Sequence, residues 1–172
     1  MKKTFLIVLL CIPIALYAQK HLEFMGHPIC GDMKAFVDIL QKDGFEKRGK
    51  KFKFRGMKTK TMYGAFWRFP ECNVVVRQPS GYSEVTSIFI HPLCNYVLLA
   101  DLIETLDSKY GAHDEYISNI NVNAITYSWG LPEGYIQIFA STIYGQVFDI
   151  VYRDYVEVRL LNNINQRIDS DL

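Results

Sequence analysis

The spacing of apolar residues along this chain switches between two periods. From His21 to Met25 apolar and polar residues alternate, the rhythm of a strand, until Gly26-His27-Pro28 breaks it. Asp32 then suits the N-cap of a short helix with Phe36, Val37 and Leu40 on its buried stripe, Lys34, Asp38 and Gln41 outside, and Gly44 as its stop. Lys50 to Thr61 returns to alternation, with Phe52 and Phe54 on one side and Lys51, Lys53 and Arg55 on the other. Strands are expected over Tyr63–Phe69, Val74–Arg77 and Val85–His91, divided by turns at Pro70-Glu71 and Pro79-Ser80-Gly81.

The second half follows the same order. Asn95 can cap a longer helix whose inner stripe is Leu99, Leu102, Ile103, Leu106 and Tyr110, with Asp101, Glu104 and Asp107 on the wet face and Gly111 at the end. Strands are expected near Ala124–Trp129, Tyr135–Ala140 and Val147–Tyr152, with one more over Tyr155–Leu161, before a polar tail at 162–172. Short matches accompany this order. His27-Pro28-Ile29-Cys30 returns sixty-four positions later as His91-Pro92-Leu93-Cys94, and Trp67, Pro70 and Glu71 return sixty-two positions later as Trp129, Pro132 and Glu133. The expectation is an α+β fold of two pseudo-repeated units, 20–92 and 93–161, each one helix packed on an antiparallel β-meander. In its order of elements the chain resembles the β-lactamase inhibitor proteins and the small outer-membrane assembly lipoproteins of the SmpA/OmlA type. The resemblance implies the fold and carries no functional residues.

Residues 1–19 have the form of an export signal. Lys2 and Lys3 precede an apolar run from Phe5 to Ala15, and Leu16-Tyr17-Ala18 suits cleavage before Gln19. The run is too short for a membrane span, so the mature chain is expected in the periplasm or outside the cell, with no transmembrane segment. The remaining cysteines are Cys30, Cys72 and Cys94. In an exported chain an odd number allows one disulfide and one free thiol, or three buried thiols; the paired turns make Cys30–Cys94 the candidate bridge, with Cys72 then left over.

Formal net charge is only +1, yet its distribution is uneven. Residues 20–86 hold thirteen Lys/Arg against seven Asp/Glu, and residues 87–172 hold four against eleven. The densest cationic stretch runs from Lys47 to Lys60. With Phe52 and Phe54 interleaved, it suits an anionic envelope component or an acidic protein partner, or it guards a sheet edge against other chains. Nucleic acid is not the expected partner of an exported chain so near neutrality.

Candidate chemistry is sparse. The two His-Pro-x-Cys segments together make a His₂Cys₂ set that zinc would accept, but strand-to-helix turns explain them without a metal, and no metal or other cofactor is expected. Glu71 and Glu133 could be imagined as paired carboxylates of a hydrolase, although Pro-Glu is an ordinary turn. Trp67 and Trp129 read as core anchors, or as platforms for a ligand. No nucleophile elbow, zinc-protease helix or phosphate loop stands in the chain. The expected function is therefore that of an exported, non-catalytic binding or envelope-interaction protein, with Lys51, Phe52, Lys53, Phe54, Arg55, Trp67 and Trp129 as binding residues. The alternatives are a small hydrolase with a thiol or paired-carboxylate site between the units, and a structural part of an envelope complex.

Overall fold

The computed structural model describes residues 20–49, 56–93, 98–119, 124–141 and 147–160. A two-stranded ladder, β1 (Glu23–Phe24) and β2 (His27–Pro28), leads into helix α1 (Met33–Lys42). There follow β3 (Glu46–Lys47), β4 (Met57–Phe66), β5 (Phe69–Pro79), β6 (Ser87–Pro92), helix α2 (Leu99–Tyr110), β7 (Asp114–Asn119), β8 (Ala124–Leu131), β9 (Gly134–Ser141) and β10 (Val147–Asp154). A last helix, α3, covers residues 155–160. The fold is α+β. Eight strands form one antiparallel sheet in the order β3-β4-β5-β6-β10-β9-β8-β7.

The local causes are legible. Asp32 caps α1, its carboxylate accepting from the backbone N–H of Lys34 at 2.8 Å and of Ala35 at 3.2 Å. Phe36, Val37 and Leu40 are buried against the sheet. The sheet contributes Met62, Val74, Val76, Ile88, Ile90, Ile136, Ile138 and Ile150 to the same core, every second residue of its central strands. Gly64, inside β4, is required by packing: a Cβ there would lie 2.6 Å from the Phe45 ring, which fills the space. No helix among the described residues is long and apolar enough to cross a membrane.

Three expectations are corrected. Pro70 and Glu71 do not form a turn; they lie in β5, and the turn is Trp67-Arg68, between the paired residues Phe66 and Phe69. The register slips between Gly64 and Phe66, and this bulge is where a strand tolerates proline. Residues 155–160 are helical instead of a further strand, because the Asp154 carboxylate accepts from the Val156 N–H at 3.0 Å and caps the new helix. The two tryptophans are also not equivalent in place. The β4–β5 and β8–β9 turns are sixty-five positions apart, Phe66 matching Leu131, so Trp67 lies in a turn and Trp129 inside β8. The signal-like residues 1–19, the proposed cap Asn95 and the tail 162–172 lie outside the described residues.

Candidate binding groove

Three tight hairpin turns and one helix enclose a groove of about 610 Å³ at one end of the sheet. The β1–β2 turn contributes Met25 and Gly26, the β4–β5 turn Trp67, and the β8–β9 turn Glu133. Helix α2 forms the far wall with Leu102, Thr105, Leu106, Lys109 and Tyr110. Phe66, Leu131 and Tyr152 line it from the sheet, and Lys20 to Glu23 pass along its edge. The size suits a small molecule, and the lining is mainly apolar.

An aromatic cluster fixes the floor. Phe24 stacks on Phe66 with ring centroids 5.4 Å apart, and Tyr152 meets both edge-on at 5.5 and 6.4 Å. Trp67 leans on Phe69 at 5.4 Å, and the Arg68 guanidinium lies 5.0 Å from the indole centre. Arg68 also reaches Asp101 of α2 at 3.0 Å, which ties the turn to the helix across the groove. Burial pushes the Tyr152 phenol well above its ordinary range, with Tyr110 adding to the effect, so it is a neutral hydroxyl at any working pH.

The backbone of both lips is strained. Met25 has φ +53° and Trp67 φ +52°, and they alone among the described non-glycine residues have positive φ. Each is the first central residue of a two-residue hairpin, a position that Gly, Asn or Asp fills without this cost. An L-residue there costs about 1–2 kcal/mol.

The polar groups of the groove are mostly held by one another. Lys20 Nζ lies 2.9 Å from Glu133 Oε1. Their hydrogen bond raises the lysine above its ordinary value and lowers the glutamate. His21 Nδ1 is 3.1 Å from Asp154 Oδ2, which also accepts from the Leu22 N–H at 2.9 Å. A histidine oriented by a carboxylate has the form of a general base that acts on a hydroxyl or on water. Thr105, the one Ser or Thr of the lining, donates to the Asp101 carbonyl of its own helix at 2.7 Å. Asp154, engaged by two backbone amides, serves as a staple between the N-terminal segment and the end of β10.

No protein-family model, curated protein or solved structure matches this chain.

Of the residues expected to bind, Trp67 lies in the groove. Trp129 is 1 % exposed, so it presents no face to a ligand; its indole Nε1 donates to Asp107 Oδ1 at 3.0 Å, which makes it a core anchor. Lys51, Phe52, Lys53, Phe54 and Arg55 lie outside the described residues, while Lys58 and Lys60 beyond them are exposed on β4. Glu71 and Glu133 are not brought together: Glu71 hydrogen-bonds the Tyr63 phenol, and Glu133 holds Lys20. His27 pairs with Asp43 at 2.8 Å and His91 with Asp149 at 2.8 Å, and no group of three metal-ligating side chains forms among the described residues. Cys30 is a half-buried thiol, pushed up by burial and by Glu84 and Asp154; Cys94, its expected disulfide partner, lies outside the described residues.

Sequence reasoning missed Met25, Phe66, Leu131 and Tyr152, which read as strand or core positions. A signal was present at Met25-Gly26, where a large apolar residue takes the place a hairpin normally gives to Asn or Asp.

Proposed function

We propose that this chain is an exported, non-catalytic binding protein whose groove holds the apolar body of a small ligand. One observation carries the reading: Met25 and Trp67, the described non-glycine residues of positive φ, both line the same groove. Local strain of this kind persists where another requirement outweighs stability, and here the strained turns place large apolar side chains at a ligand-sized opening.

In this reading a signal at 1–19 is removed and two helix-plus-meander units, 20–92 and 93–161, make the body. Support for two units comes from the strand order, in which β6 and β10, the last strands of the two meanders, lie side by side. Cleavage after Ala18 would make Lys20, the resident partner of Glu133, the second residue of the mature chain.

Titration with the neutral fluorophore N-phenyl-1-naphthylamine tests the groove. Saturable binding by the mature protein is expected, lost in Thr105→Trp, which places an indole in the opening from an exposed position of α2. Binding that survives Thr105→Trp in a protein with unchanged melting would place the fluorophore elsewhere and remove the proposal.

A further inference from the structure

Charge in the groove is not evenly satisfied. Lys20 is held by Glu133 and His21 by Asp154, each within 3.1 Å. Lys109 is different. Its ammonium lies 4.9 Å from the centre of the Tyr110 ring, and no carboxylate pairs with it among the described residues. A cation resting on an aromatic face at the edge of an apolar opening keeps its donors available to an incoming acceptor. Two tyrosines, Tyr110 and the floor residue Tyr152, line the same groove, and a phenol O–H can donate to the same acceptor. Apolar surface and these donors thus meet in one groove.

Building on the groove reading above, we infer that the ligand is an amphipathic anion: an apolar body lies on Trp67, Phe66 and Leu106, and its charged head is met by Lys109 with the Tyr110 phenol beside it. A neutral ligand of the same shape leaves Lys109 unused, and a cationic one meets it unfavourably. The head is a carboxylate or a phosphate ester, since an ammonium serves both as a point charge.

Two probes sharing one aryl skeleton isolate the head. 8-Anilino-1-naphthalenesulfonate carries an anionic group that N-phenyl-1-naphthylamine lacks. At low salt the anionic probe should bind on the order of tenfold more tightly, the worth of one partly screened charged hydrogen bond. Lys109→Met should remove the preference for the anionic over the neutral probe, read as the ratio of their two affinities in the same variant, while Lys109→Arg keeps it. Added salt should weaken only the anionic probe. Displacement by dodecanoate or by dodecyl phosphate, with dodecanol as the neutral control, tells the two heads apart. Equal affinity for both fluorophores, or a preference untouched by Lys109→Met, would overturn the anionic head and leave the groove standing. If neither fluorophore binds, the groove reading fails and this inference with it.

Discussion

The indole of Trp129 and the carboxylate of Asp107 join the second helix to the sheet. Trp129 Nε1 donates to Asp107 Oδ1 at 3.0 Å from a ring that is 1 % exposed, and His113 Nδ1 approaches the same carboxylate at 2.9 and 3.1 Å. Asp107, one turn above the end of α2, therefore sets where the helix that walls the groove sits. Asp107→Ala leaves a buried indole N–H without its acceptor, and the expected loss is about 1–3 kcal/mol in urea unfolding at pH 7. A loss near zero would mean that α2 is positioned by its apolar contacts alone.

Acid should weaken this link in a defined window. Burial by itself would push the Asp107 carboxyl up, but the hydrogen bonds from His113 and Trp129 outweigh it and hold the group below its ordinary range. A depressed carboxyl contributes stability that is fully present above its unfolded value of about 4 and is lost as pH falls through the folded one. The stability gap between wild type and Asp107→Asn should therefore narrow as pH falls below about 4. A gap that widens on acidification would contradict the assignment.

Gly64 is a test of packing. A Cβ there would come within 2.6 Å of Phe45 Cδ1, and Phe45 is only 3 % exposed, so the ring has little room to yield. Gly64→Ala should cost about 1–3 kcal/mol in chemical denaturation. Gly64→Ala combined with Phe45→Leu should recover part of that loss, since the ring is what the methyl meets.

The basic stretch predicts a different outcome. Reversing Lys51, Lys53 and Arg55 together to Glu should change stability by no more than about 0.5 kcal/mol if these are surface positions. The same variant should lose salt-sensitive binding to vesicles containing anionic lipid if the stretch is a binding surface. Unchanged vesicle binding would leave only the edge-guard role.

What the chain reveals about itself depends on how local the cause is. Helix α1 was legible to the residue because cap and stripe lie within nine positions: Asp32 opens it, and Phe36, Val37 and Leu40 bury its face. Strands β8, β9 and β10 were legible for the same reason, whereas β7 (Asp114–Asn119) was not read as a strand. Pro70-Glu71 misled because turn composition cannot reveal a bulge, which is set by how β5 registers against β4 across the Trp67-Arg68 turn. Tyr155 to Leu160 alternates like a strand, and the capping by Asp154 that converts it to helix depends on where β10 ends. Trp67 was legible as a candidate but not its strain, and the groove was not legible at all. It is assembled from Met25, Trp67, Leu106 and Glu133, which come from four separate elements and meet only through the order of the sheet.

The central claim is that the two strained turns sacrifice stability for a binding opening, and a paired measurement on Met25→Asn tests it most directly. Asn is favoured where Met25 stands at φ +53°, beside Gly26, so the variant should unfold at higher urea by about 0.5–1 kcal/mol of stability. Met25 is 44 % exposed, so little core packing is lost with it. The same variant should bind N-phenyl-1-naphthylamine several-fold more weakly, because an apolar lip of the groove is gone. Greater stability with weaker binding is the result the account predicts. A variant that is more stable and binds the fluorophore as tightly as wild type would contradict it.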